Sequence, residues 1–172
     1  VQALLRNITF SSVSDAPSAA TRTVKVTLTD GDGGTSNSPT KTIKVVPAND
    51  APVIGAFDTS VTYTENGPAV LIDSNATVFD PDSANFWSGK LTVAITANAQ
   101  STDRIGIRQQ GTGPGQIGLV GTSVRYGGIT IGTFSGTTTL IVTLNTAATP
   151  AAVQALLRNI TFSSVSDAPS AA

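Results

Sequence analysis

The chain has 172 residues, a formal net charge of −1, 12% charged residues and no Cys, His or Met. These counts exclude zinc and copper sites, thiol nucleophiles and Ser-His triads, and they leave no basic face for a nucleic-acid partner. No apolar run approaches the ~18 residues of a membrane span. Low charge with abundant Thr, Ser, Val, Gly and Asn is the composition of secreted β-repeat proteins, and without Cys such a protein needs a cross-link other than a disulfide.

Val1 to Ala20 reads VQALLRNITFSSVSDAPSAA and recurs letter for letter from Val153 to Ala172, an offset of 152 residues. That repetition marks the chain as a window on a longer tandem array. The period suits one domain, and arrays of one module build length and display surface rather than an active site. Val1–Arg6 is expected to be the second half of a helix. Thr21–Thr29 (TRTVKVTLT) and Thr40–Val46 (TKTIKVV) alternate as strands, with Ser36–Pro39 as the turn between them. Pro47-Ala48-Asn49-Asp50-Ala51-Pro52 reads as a linker, because each Pro removes a ladder donor and restrains its predecessor. Residues 1–48 are then the C-terminal part of one repeat. Residues 49–172 are the N-terminal and central part of the next, to be completed by a neighbouring copy.

Further strands are predicted at Val61–Thr64, Leu91–Thr96, Ile105–Arg108, Ser123–Tyr126, Ile129–Phe134 and Thr138–Leu144, separated by Gly-rich stretches such as Gly111–Gly118 and Gly127-Gly128. Thr149 caps a helix with Pro150 at its first position and Ala151–Leu157 following. Asn159 stops it, and Ile160–Ser163 returns to strand. Short, regularly spaced strands with one short helix predict an all-β antiparallel sandwich.

Several motifs are set aside. Gly113–Gly118 fits G-x-G-x-x-G, but strand rather than helix follows and no acid lies between Gly118 and the end of the helix, so it reads as a hairpin loop. Asp80 with Asp82, or either with Glu65, is a poor glycosidase pair beside one Trp (Trp87) and two Tyr (Tyr63, Tyr126). Phe86-Trp87 reads as a cap on the core. Asn7-Ile8-Thr9 and Asn75-Ala76-Thr77 match glycosylation sequons, and Ile8 and Phe10 are expected to be buried. No catalytic residue emerges, and the chain is not expected to be an enzyme.

Eleven acids are present, Glu65 being the only Glu. Six fall in four loop motifs: Thr64-Glu65-Asn66, Asp80-Pro81-Asp82, Asp30-Gly31-Asp32-Gly33-Gly34 and Asn49-Asp50-Ala51-Pro52. Calcium takes oxygens from carboxylates, amides and carbonyls, Asp-x-Asp puts two carboxylates on one loop, and Gly permits the backbone such loops need. Asp, Asn and Gly also favour turns with no metal, the simpler reading for the DGDGG stretch alone and for Asp15 and Asp167 in Ser-Asp-Ala-Pro.

The four motifs together resemble the cadherin-like repeats of very large bacterial surface proteins and adhesins. Tyr63-Thr64-Glu65-Asn66 resembles the Pro-Glu-Asn-type motif of that family, Asp80-Pro81-Asp82-Ser83 its mid-domain Asp motif, Asp30–Gly34 its Asp-x-Gly motif, and Asn49–Pro52 its Asn-Asp-x-x-Pro linker. The order also matches when the repeat is started at Asn49. The resemblance implies a cadherin/Ig-like sandwich and a calcium-rigidified extracellular fibre or adhesin stalk at a bacterial surface, with neighbouring copies of the repeat as head-to-tail partners and strand exchange between them. It implies calcium ligands at Glu65, Asp80, Asp82, Asp30, Asp32, Asn49 and Asp50. Pro47-Ala48 stands where cadherin linkers carry acids, so one or two ions per junction are expected. A carbohydrate- or ice-binding module is the alternative, with Thr137-Thr138-Thr139 as a flat array.

Overall fold

The computed structural model of the chain describes residues 1–166. It divides into two units, Val1–Asp50 and Ala51–Ala172.

The first unit holds one helical turn, α1 (Gln2–Leu5), then irregular backbone, then an antiparallel hairpin of β1 (Arg22–Lys25) and β2 (Thr40–Ile43). Arg22 stands opposite Ile43 and Val24 opposite Lys41. Val24, Val26 and Ile43 therefore share one face, while Thr23, Lys25, Thr40 and Thr42 make the other face polar. The turn expected at Ser36–Pro39 lies instead at Asp30–Gly34, just inside a bridge between Thr29 and Thr35. Gly31 and Gly33 take φ of +91° and +99°, angles that Gly adopts freely. The Asp30 carboxylate accepts from the amides of Asp32 and Gly34, both at 2.9 Å. Ser36 is already back on the ladder, its amide donating to the Leu28 carbonyl.

The second unit carries, in chain order, β3 (Val53–Gly55), β4 (Val70–Leu71), β5 (Thr77–Phe79), β6 (Lys90–Ala94), β7 (Asp103–Ile107), β8 (Ile117–Val120), β9 (Ser123–Tyr126), β10 (Ile129–Ser135), β11 (Thr139–Leu144), α2 (Pro150–Leu157) and β12 (Ile160–Ser164). They form a five-stranded sheet in the order β6-β11-β10-β9-β8, a three-stranded sheet β4-β12-β7 and a pair β3-β5. Every one of these pairings is antiparallel. The fold is all-β with very little helix.

Alternation along the central strands explains the core. Leu140, Val142 and Leu144 of β11, Ile131 of β10, Val124 of β9 and Ile117 of β8 are buried, one side of each strand facing inward. Ile105 and Ile160 join them from the three-stranded sheet. The helix contributes Ala152, Val153, Leu156 and Leu157, positions that fall on one stripe at 3.6 residues per turn. Thr149 accepts from the Ala152 amide at 3.3 Å and Pro150 opens the helix, as its sequence predicts. Phe86 packs against the core but Trp87 is exposed, so only the first of the two caps it.

The predicted strand at Val61–Thr64 does not form; Tyr63 anchors that stretch instead, its hydroxyl donating to the Ser164 carbonyl at 3.1 Å and its ring meeting Phe162 edge-on at 5.3 Å. Strands β3, β4 and β5 appear where none is expected, and β8 starts at Ile117, inside the Gly113–Gly118 stretch expected to be a loop with strand after it. The first three are only two or three residues long, too short for a period of two to register.

Candidate functional site

The seven residues expected to hold calcium fall in both units. Asp30, Asp32, Asn49 and Asp50 lie in the first, and Glu65, Asp80 and Asp82 in the second. Each lies on a loop. Glu65 opens the turn that Gly67 closes by donating to the Thr64 carbonyl at 2.9 Å, and Asn66 takes φ of +58° within it. Asn49 donates from its side chain to the Asp50 carbonyl at 2.8 Å. Asp80 follows β5 and accepts from the amides of Asp82 and Ser83 at 3.3 and 2.9 Å. Among the described residues no three acids converge as a metal cluster. Asp15 sits in a bend, and Asp167 lies outside the described residues.

Electrostatics distinguish these carboxyls. The Asp32 amide, followed by that of Gly34, holds Asp30 below its usual range. Burial pushes Asp80 upward, but the amides of Asp82 and Ser83 and hydrogen bonds from those two side chains outweigh it, leaving the group net lowered. Asp80 and Asp82 lie two residues apart on one loop, the Asp80 carboxylate turning back onto the Asp82 amide.

A further acid, Asp73, plays a structural part that its surroundings in the sequence do not advertise. It is 3% exposed. It accepts from the Asp58 amide at 2.7 Å and from the Asn75 and Ala76 amides at 2.9 and 2.5 Å. The Asp58 amide is the largest influence lowering its pKa; burial opposes it, and the other two amides and Arg158 reinforce it. The Asp73-Ser74-Asn75 string is a recognisable side-chain turn signal, but the long-range bond to Asp58 is not.

The repeated segment occupies two different environments. In the second unit Val153, Leu156 and Ile160 are 6%, 0% and 1% exposed; in the first unit their counterparts Val1, Leu4 and Ile8 are 75%, 70% and 59% exposed. Phe10 is exposed as well, so Ile8 and Phe10 are not buried as expected; of their counterparts in the later copy Ile160 is buried and Phe162 half-buried. There, Ile160–Ser164 forms the middle strand of its sheet, whereas residues 8–12 form none. Arg158 donates to the carbonyls of Ala76 and Asn75 at 2.7 and 3.2 Å, and Asn159 accepts from Arg108 at 2.8 Å. All these partners come from residues 51–150.

Each unit also contains an apolar hollow beside this segment. In the first, a cavity of about 450 Å3 lies between Leu5, Ile8 and Phe10 on one side and Val24, Val26 and Ile43 of the hairpin on the other. In the second, a cavity of about 240 Å3 adjoins Leu157 and Ile160, the counterparts of Leu5 and Ile8, and is walled by Ile54, Phe57, Leu91 and Val93. The second cavity runs along β6, whose outer edge carries no strand among the described residues. A separate polar cleft of about 360 Å3 is lined by Arg108, Gln110, Tyr126, Gln154 and Arg158.

No family model, curated protein or solved structure matches this chain.

Proposed function

We propose that this chain carries the repeat module of an extracellular structural or adhesive array at a bacterial surface, and performs no catalysis. The module is an antiparallel cadherin/Ig-like sandwich whose strands come from adjoining copies, and calcium stiffens the array. One observation carries the reading: the same residue of the repeated segment is buried in the second unit and exposed in the first, as Leu156 and Leu4 show at 0% and 70%. A sequence whose hydrophobic face is satisfied only by its neighbour is the signature of a repeat architecture. The placing of Asp80 and Asp82 on one loop supports the metal. The donors are all oxygen, which suits a hard cation; Glu65, Asp30, Asp32, Asn49 and Asp50 would supply further ligands at junctions between modules. When bound, calcium neutralises carboxylates that otherwise repel and cross-links neighbouring loops.

The test is a thermal melt with and without calcium. For an extracellular module with Kd near ~10⁻³ M, ~10 mM calcium adds roughly 1.4 kcal/mol by mass action. A rise in Tm that chelator reverses is expected. Identical melts in calcium and in chelator refute the metal's role.

The polar cleft favours a second reading, a glycan-binding module, because it combines two Arg, two Gln and one aromatic ring in a concavity. Binding on a glycan array that is lost in Tyr126→Ala would establish it. Ice binding loses its support, since Thr137 and Thr138 lie in the turn before β11 rather than on a flat strand.

A further inference from the structure

We propose that the polar cleft of the second unit binds an acidic saccharide, a sugar residue that carries a carboxylate or sulfate group. This rests on the glycan-binding reading and adds to it the charge of the ligand.

The hydrogen bonds already made around the cleft lead to it. The Gln154 Oε1 accepts from the Val78 amide at 3.2 Å, and the Gln110 Oε1 accepts from the Ile117 amide at 3.0 Å. Each glutamine therefore keeps its NH2 to donate. Arg158 donates from Nε and Nη2 to the Ala76 and Asn75 carbonyls, which leaves Nη1. Arg108 donates from Nε to the Asn159 Oδ1. That leaves its two Nη groups, the end of a guanidinium that grips a carboxylate or sulfate at two points. Among the described residues no acid lines the cleft. Asp73 attracts Arg158, but it is buried and held by three amides. A concavity with two guanidiniums, two amide donors and no carboxylate of its own is complementary to an oxyanion.

The donors are held in place by the fold. Gln154 and Arg158 stand four residues apart on one helix face. Asn159, which orients Arg108, is 4% exposed and is itself fixed by donating to the Ala155 carbonyl at 2.8 Å. Across the cleft, the loop of Gly115 is pinned by Gln116, whose side chain accepts from the Gly113 amide at 3.0 Å and whose carbonyl accepts from the Gly127 amide at 2.9 Å. Tyr126 supplies an aromatic surface for the apolar face of a sugar ring. The volume, about 360 Å3, is near the lower end of ligand pockets, roughly 300–1,000 Å3, and suits a short saccharide rather than a long chain. The site is internal to the second unit. Its lining falls between Ser74 and Asn159, and β12 runs away from it, from Ile160 opposite Ile107 to Ser164 opposite Asp103.

The experiment is calorimetric titration of the 172-residue chain with digalacturonic acid, its dimethyl ester, a galactose sulfate, sodium acetate and sodium sulfate. The ester keeps the shape and hydroxyls of the acid without its charge. The two acidic sugars are expected to bind, with the ester and the bare anions weaker by roughly tenfold or more, the worth of a hydrogen bond to a charged group. Two variants locate the site. Gln154→Glu keeps the acceptor for the Val78 amide but puts a carboxylate where the NH2 stood. Arg108→Gln removes a guanidinium from an exposed side chain. Each should weaken the acidic sugars by roughly tenfold or more, while Lys90→Gln, which removes a positive charge outside the cleft, should not; thermal melts verify that each variant folds. An ester that binds as tightly as the acid overturns the charge assignment and leaves the glycan reading standing. Acidic sugars that do not bind overturn the proposal, and a blank glycan array then removes the glycan reading too. Acetate or sulfate binding as tightly as the acidic sugars marks a general oxyanion site and overturns the saccharide. Binding that survives both variants lies elsewhere and overturns the cleft.

Discussion

The repeated segment lets one substitution be made twice in a single molecule, in identical local sequence. Leu156→Ala removes a side chain that is 0% exposed, whereas Leu4→Ala removes one that is 70% exposed. Core Leu→Ala changes cost about 2–5 kcal/mol, through lost transfer energy plus the cavity left behind. Leu156 packs among Ala152, Val153 and the central sheet residues, a setting with little room to collapse, so a value near the middle, about 3 kcal/mol, is expected. At roughly 4 °C per kcal/mol for a domain of about a hundred residues, the second unit's Tm falls by ~10 °C or more. Leu4→Ala stays within about 0.5 kcal/mol, like other surface changes. Urea unfolding followed by circular dichroism at low protein concentration measures both, with the midpoint shifting at constant slope. Equal losses in the two variants would mean that the first copy is also seated on a core, and the argument from asymmetric burial would fall.

Other consequences concern the second unit. Thr149→Ala removes the helix cap and should cost about 1 kcal/mol, read as a Tm lower by a few degrees. Asp73 has its folded pKa lowered, so its stabilisation is complete above the ordinary carboxylate value near ~3.9 and is lost as pH falls from there through the lower folded value. Tm should therefore decline below about pH 4. Asp73→Asn should flatten that decline while reducing stability at neutral pH by ~1–3 kcal/mol, because an amide nitrogen replaces one acceptor; melts from neutral pH to acid decide it.

Legibility in the sequence followed the range of the forces involved. The helix could be read because its signals are local: Thr149 at the cap, Pro150 behind it and a stripe of apolar residues. Strands β9, β10 and β11 could be read because they are rich in β-branched residues and joined by tight turns at Gly127-Gly128 and Gly136. The short pair β3-β5 could not, since it joins Val53 to Phe79 and Gly55 to Thr77 across a long interval. The hairpin turn was misplaced because Pro39 carries a strong turn signal, while the pair of glycines and the Asp30 side chain actually reverse the chain. Acidic loops were legible as loops. Asp73 was not singled out, because its long-range partner is an amide, Asp58, that no motif announces.

The two copies of the repeat separate local from tertiary structure with sequence held constant. Asn7 donates to the Ala3 carbonyl at 2.7 Å, and Asn159 makes the same bond to Ala155 at 2.8 Å. Both bonds span one helical turn and form wherever the segment is placed. The helix spans Pro150–Leu157 in the later copy, and in the earlier one Gln2–Leu5, which correspond to Gln154–Leu157. The strand disappears altogether, because a middle strand owes its ladder to neighbours on both sides. Alternation in Ile-Thr-Phe-Ser is thus a conditional instruction: it specifies a strand only when β4 and β7 are present to receive it. The hairpin is the converse case. Its pairing is internal and forms in the first unit, while its apolar face meets only a half-filled hollow.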